Sequence, residues 1–353
     1  MRLIKIIILV CCAALASACA NYSSLFRNDI KPQETENLTI ASTSVTNGLE
    51  IITTEPDPSP TPAISMYGRS ARGHLEVLAG EIGERLAGSG NETLAAEYIQ
   101  GVFEEAGYTT EIQYFTAYDY GYGVNFTSTN IIAVKKGLSD QQIIVGAHYD
   151  SVEDDGSQGA DDNASGVAVL LETAERVFDE ETPYTIVFAA FGAEEEGLWG
   201  SENYVDQLNY FERKNIIGMV NLDCLIAGNK TYVYGNEGPG SIRDWLLADA
   251  KRQGFKVEGK TDEDMFNEDG TPCECSDFDA FEKSSIPYAY FEATDWDLSP
   301  DGMTQVDPQY GVDGEIRHTE FDTIEYIDSI FPGRIDDHLK AYVTLLVDLV
   351  TQY

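Results

Sequence analysis

Seven side chains in this 353-residue sequence stand where they could hold a divalent metal and move a proton. They are His148 and Asp150 in HYD, Asp162 in GADDNASG, Glu194 and Glu195 in AEEEG, Asp223 in NLD and His318 in HTEFDT. Imidazole mixed with carboxylate suits zinc and its first-row neighbours. A carboxylate left over from metal binding could act as a general acid or base. Each group also has a plainer explanation. An EEE run in an acidic chain is ordinarily a solvated face. Here it follows the apolar run 184–191 and precedes GLWGS, a tight turn, so it reads as a strand end. Asp161 or Asp162 alone could be a helix cap. Glu153, Asp154 and Asp155 read as solvated loop charge. His74 and His338 lie in helical patterns and read as structural.

The elements that must position these groups follow from periodicity. Residues 143–147, IIVGA, form a buried strand ending at His148. Residues 184–191 form another, ending at Glu194, Glu195 and Glu196. Residues 218–224 end a third at Asp223, and 286–293 form a fourth. Strands are also expected at 111–118 and 130–137. Helices are expected at 74–88, at 94–106 before Gly107, from Asn163 to about Phe178, at 241–253 and at 336–352. Strands alternating with helices predict an α/β fold: a mostly parallel central sheet flanked by helices. Carboxyl ends of neighbouring parallel strands converge on one crevice. Asp162 at a helix start faces the same crevice, and His318, in a polar loop, could close it.

Composition narrows the class. The chain carries 22 Lys and Arg against 61 Asp and Glu, a formal charge of −39, with 43% hydrophobic residues. Such an excess argues against nucleic acid or an anionic membrane as partner. It fits a solvated surface on an exported protein, with a preference for basic substrates as the lesser alternative. Residues 1–19 read as a signal peptide: Arg2 and Lys5, an apolar run, then Ala16-Ser17-Ala18 before Cys19. Cys19 resembles a lipoprotein cleavage site, so lipid anchoring and simple secretion both stay open, with cleavage at the same bond. Residues 20–65, rich in Asn, Ser, Thr and Pro, read as a flexible linker. A catalytic domain is expected over 66–353. Cys224, Cys273 and Cys275 are too few for a disulfide framework and show no zinc spacing. A bridge from Cys224 to Cys273 or Cys275 stays open.

Taken together, HYD, GADDNASG, AEEEGLWGS, NLD and HTEFDT, in this order, resemble the zinc aminopeptidases of peptidase family M28 across about residues 70–353. The segment ERLAGSGNETLAAEYI resembles the region behind that family's sheet. The resemblance implies a zinc-dependent exopeptidase fold, peptide substrates and two zinc ions, with cobalt or manganese as substitutes. It implies His148 and Asp223 on one metal, Glu195 and His318 on the other, and Asp162 bridging both. Glu194 would be the general base. Asp150 would orient His148 through its other ring nitrogen. Two metals about 3.5–4 Å apart would polarise the scissile carbonyl and acidify a water.

The sequence also departs from the family pattern. Many relatives carry S-D-H where Ser276-Asp277 is followed here by Phe278. Arg317 precedes His318, and Cys273 stands where a tyrosine could steady the oxyanion, so no oxyanion donor is assigned. A single-zinc glutaminyl-cyclase-like transferase, a carboxypeptidase or amino-acid-conjugate hydrolase, and a non-catalytic binding module are the alternatives. The filled ligand set disfavours the last. No nucleic acid is expected, and membrane contact is expected only through a lipid on Cys19.

Overall fold

A computed structural model of the chain describes residues 66–153, 156–261, 276–299 and 302–353. The signal peptide and linker expected over 1–65 lie outside these residues, as do Asp154, Asp155, Cys273 and Cys275. The described residues fall within one compact unit, Pro58–Tyr353.

A single eight-stranded sheet organises them. In chain order its strands are β1 (Thr110–Asp119), β2 (Val124–Lys135), β3 (Ser139–His148), β4 (Tyr184–Phe191), β5 (Ile216–Leu222), β6 (Lys230–Gly235), β7 (Val257–Gly259) and β8 (Tyr288–Thr294). Across the sheet the order is β1-β2-β4-β3-β5-β8-β6-β7. The central β4, β3, β5 and β8 run parallel. Such strands are covered on both faces, which is why YTIVFAAF and IIVGA are apolar without alternation. Antiparallel pairs flank them: β1 with β2, β2 with β4, and β6 with β8.

The strand expectations were incomplete. Strand β2 starts six residues before the expected 130, because residues 124–129 pair with the last six residues of β1 in a hairpin. The short β6 and β7 were missed altogether; their six and three residues carry too little periodicity to stand out, and the pairing of β6 with β8 and with β7 makes both of them strands.

Helices cover both faces. On one lie α1 (Arg69–Leu75), continued by a π-helical turn over Glu76–Ile82, α2 (Gly90–Ala106), α3 (Ser165–Val177), α6 (Ile242–Gln253) and α9 (Arg334–Gln352). The opposite face carries α4 (Trp199–Gln207) and α7 (Phe278–Lys283), packed through Tyr204, Phe278 and Phe281 on Phe191 and Tyr290. Short α5 (Tyr210–Asn215) leads into β5, and α8 (Ile324–Ile330) precedes α9. The helix expected over 74–88 begins earlier and stops at Ile82, because Gly83 turns to φ +79°. That turn releases Arg85 from helical geometry and lets it enter the core. At α2 the expected stop holds: Gly107 has φ +106°, and a Cβ there would meet the Phe178 ring at 2.5 Å. No helix among the described residues is long and apolar enough to cross a membrane.

The fold gives His338 of α9 a structural task. Its Nδ1 donates to the Leu225 carbonyl at 2.9 Å, bracing the segment just after Asp223. Burial, with Arg334 nearby, pulls its pKa from 6.5 down to about 4. The unfolded chain therefore binds an extra proton between those values. This contribution to stability is full above pH 6.5 and is lost as pH falls toward 4, by up to about 3 kcal/mol. Solvent screening of the partly buried ring reduces that figure. Urea denaturation at pH 7 and pH 4.5 should show a shallower acid-side loss for His338→Gln than for the parent. Equal losses would show that the ring does not titrate this way.

Candidate metal centre

The site forms where β3, β4 and β5 end, and a fully buried arginine holds one wall of it. Arg85 donates from Nε to the Tyr149 carbonyl at 2.7 Å. Its Nη1 reaches the carbonyls of Leu78, Gly83 and Gln158, and Nη2 that of Gly159 at 2.8 Å. One guanidinium thus fastens both ends of the loop between His148 and Asp162. Burial lowers its pKa to about 10, opposed by Asp322, Asp150, Asp162 and Glu195. Nothing in the sequence singles it out, since no local pattern distinguishes a buried arginine from a surface one.

Asp162 is aimed by its neighbours. Asp322 accepts from the Asp161 amide at 2.6 Å and the Asp162 amide at 3.2 Å. Asn163, expected in the capping region, accepts from the Gly166 amide at 2.9 Å and donates to the Leu222 carbonyl at 2.8 Å. Asp161 is buried but turned away. It accepts from the Ile226 and Ala227 amides and from Gln305, fixing the segment that follows Asp223. Asp162 has no such capping bond and presents both oxygens to the crevice.

The distances divide the residues into two sets that share Asp162. Its Oδ1 lies 3.1 Å from His148 Nε2, and its Oδ2 lies 2.9 Å from His318 Nε2. His148 Nε2 is also 3.4 Å from Asp223 Oδ1, and His318 Nε2 is 3.3 Å from Glu195 Oε2. The trios His148–Asp162–Asp223 and Asp162–Glu195–His318 each offer donor atoms within 4.8 Å of one another, as does His148–Glu194–Glu195. Asp162 Oδ1, Asp223 Oδ1 and Glu195 Oε1 are buried without a hydrogen-bond partner. Buried carboxylate oxygens left this way are costly. Cations held by the trios that contain these oxygens would satisfy them, so the donor set fits zinc.

The supporting contacts explain why these side chains hold still. Asp150 Oδ1 is 3.5 Å from His148 Nδ1. The same carboxylate accepts from the Glu194 and Glu195 amides at 3.0 and 3.1 Å, so it also clamps the turn bearing both glutamates. Asp223 Oδ2 accepts from Ser276 Oγ at 2.6 Å, and Ser276 in turn accepts from Asn221 Nδ2 at 2.7 Å. Phe278, at the place of the family's histidine, stacks on Tyr288 and Tyr290 with centroids 4.4 and 5.1 Å apart. It is a core residue, and the departure from S-D-H leaves Ser276 in contact with the site. Arg317 is paired with Glu292 at 2.6 Å, and Glu292 also accepts from Tyr234. Glu196 turns outward, and its carbonyl accepts from the Trp199 indole. Ala193, Leu198, Cys224 and His318, all beside the site, have φ between 53° and 60°. This clustering of left-handed non-glycine residues is typical of functional turns.

Charge in the crevice is strongly coupled. Burial raises Glu194 well above the usual carboxylate range, with His148 opposing and Glu195, Asp277 and Asp223 adding to it. Burial, followed by Asp162, lifts Glu195 to about 7. Asp162 goes the other way: burial would raise it, but the adjacent imidazoles of His148 and His318 hold it well below its ordinary value. Burial opposes protonation of His318, yet Asp162 and Glu195 carry it up to about 11. Four carboxylates thus face two imidazoles, an excess of negative charge that divalent cations would balance.

Comparisons with known proteins give the family and the fold. The family model described as "Peptidase family M28" matches residues 130–343. The Escherichia coli "alkaline phosphatase isozyme conversion protein" is 33% identical over 76% of this chain and 85% of its own length. A Mycobacterium tuberculosis protein described as "Probable lipoprotein aminopeptidase LpqL" is 32% identical over 58% of this chain, which spans 42% of that protein. Among solved structures, a zinc aminopeptidase from Bacillus subtilis aligns with TM-score 0.64 and 19% identity, over 82% of this chain and 97% of its own.

Proposed function

The chain belongs to peptidase family M28 and is a zinc-dependent hydrolase of peptides, and on that premise we propose that it is an exported aminopeptidase with a two-zinc site and Glu194 as general base. The observation that carries the two-metal reading is the shared carboxylate: Asp162 turns one oxygen to His148 and the other to His318. A single-zinc transferase would need only one of the two trios that share Asp162. The aminopeptidase reading draws support from the names of a relative and of a structural neighbour. Export draws support from the signal-like residues 1–19 and from the relative described as a lipoprotein.

When bound, zinc supplies Lewis-acid polarisation of the scissile carbonyl and lowers the pKa of the attacking water. His148 with Asp223, and Glu195 with His318, would hold the two ions, and Asp162 would hold both. Glu194 takes the water's proton and returns it to the departing amine. Its raised proton affinity suits a group that takes and returns a proton. Asp150 keeps the Glu194 and Glu195 backbone still and faces the outer nitrogen of His148.

The test is a panel of aminoacyl p-nitroanilides and short peptides, each with a free and an acetylated N-terminus. Free substrates should turn over and acetylated ones should not. Comparable cleavage of both forms would overturn the aminopeptidase reading while leaving a peptidase.

A further inference from the structure

The β1–β2 hairpin carries a feature that metal binding does not use. Its tip, residues 118–123, reads YDYGYG. Tyr120 and Tyr122 are 74% and 72% exposed, a large aromatic surface to leave in water. The Tyr120 ring stacks over Trp199, with centroids 6.5 Å apart and planes 14° from parallel. Tyr122 donates from its hydroxyl to Glu153 at 3.2 Å, and its amide donates to Asp119 at 2.7 Å. The Trp199 indole bonds the carbonyl of Glu196. The hydrogen bond to Glu153 and its charge, followed by desolvation and the charges of Asp119 and Glu196, hold the Tyr122 hydroxyl above its ordinary pKa. The Glu153 and Asp119 carboxylates, each bonded to Tyr122, therefore edge an exposed aromatic face.

This face adjoins the metal centre through the chain itself. Trp199 follows Glu194 by five residues and Glu153 follows Asp150 by three. Five residues span at most about 17 Å, a length that the part of a peptide beyond the scissile bond can bridge. Aromatic faces attract ammonium and guanidinium groups, and carboxylates beside them add to the attraction. We infer that the hairpin tip with Trp199 is a docking surface for the downstream segment of the substrate, and that it selects peptides with Lys or Arg in the first few positions after the cleaved bond. This inference rests on the aminopeptidase reading for which side of the peptide reaches the hairpin. It assigns a use to part of the negative charge that the sequence alone left between solubility and substrate preference.

The full chain carrying Glu194→Ala, loaded with zinc, would be titrated with two free-N-terminus hexapeptides. Both share the first residue; one carries Lys and Arg at positions two to five and the other carries Glu and Ser. The basic peptide should bind roughly ten-fold more tightly, with the advantage shrinking as salt rises. Adding Tyr120→Ser and Tyr122→Ser should collapse the ratio toward one. These side chains are exposed and the net charge is unchanged, so the collapse would report the aromatic face and not the acidity of the whole chain. Equal binding of the two peptides, or a ratio the double substitution leaves intact, would overturn the inference. Because binding is read without turnover, the outcomes separate. A wild-type chain that cleaves no free N-terminus but keeps the basic preference overturns only the aminopeptidase reading.

Discussion

Glu194→Ala is expected to lower kcat by about 10³-fold, within the 10²–10⁴ that a positioned general base contributes, while the chain keeps its zinc. Both halves matter. Glu194 sits with His148 and Glu195 in one of the three trios able to hold a metal, so geometry alone permits it as a ligand. If it were one, removing it would release metal, and lost activity would say nothing about proton transfer. Glu194 is also the glutamate whose charged neighbours Glu195, Asp277 and Asp223 all raise its proton affinity on top of burial. A carboxylate in that setting has a raised proton affinity, which suits a group that takes and returns a proton. The measurement is kcat on a free aminoacyl substrate beside metal content by mass spectrometry. Turnover within ten-fold of wild type, or a variant that has shed zinc, would reassign the residue.

Asp162→Ala is expected to empty both metal positions, whereas Asp223→Ala empties one. The loss of affinity should be at least about 100-fold, since even partners outside the ligand set typically cost 10–100-fold. The reason lies in the two oxygens of one side chain, 3.1 Å from His148 and 2.9 Å from His318. Among the described residues no other carboxylate lies within ion-pair distance of both imidazoles. Stability offers an independent readout. A ligand at 100 times its dissociation constant stabilises the fold by about 2.7 kcal/mol. Chelation should therefore lower the melting temperature of the wild type and leave that of Asp162→Ala nearly unmoved. The variant should also start lower, because His148 and His318 lose the carboxylate that pairs them. Asp162→Asn, which preserves volume, controls for a packing defect. Zinc stoichiometry equal in the Asp162 and Asp223 variants would rule out a shared ligand.

The positioning contacts bear on how such a site is kept intact. Arg85, Asp322 and Asp161 make no metal contact in the proposed scheme, yet Arg85 and Asp322 hold the backbone leading into Asp162, and Asp161 ties that segment to Ile226. They join segments 74 and 161 residues apart. All three are fully buried, so each is costly to remove without a replacement hydrogen bond. The site is in this sense a polar core layer as much as a catalytic surface.

Much of this was legible in the sequence for a simple reason. Strands buried on both faces must be apolar, so β3, β4 and β5 announce themselves, and metal-capable side chains at their ends are visible as HYD, EEE and NLD. The α/β class, the seven candidate residues and the resemblance to family M28 all follow from such local patterns. What the sequence could not supply is anything set by contact between distant segments. The hairpin extension of β2 and the strand β6 exist because a neighbour pairs with them. Phe278 faces an aromatic stack instead of the crevice because β8 brings Tyr288 and Tyr290 beneath it. Arg85, Ser276 and Asp322 acquire their tasks only when loops meet. Side-chain periodicity encodes which face an element buries; it does not encode which partner waits there. The sequence by itself determined the chemistry available to this protein. The tertiary structure decided which oxygen of Asp162 meets which histidine, and so how that chemistry is shared between two positions.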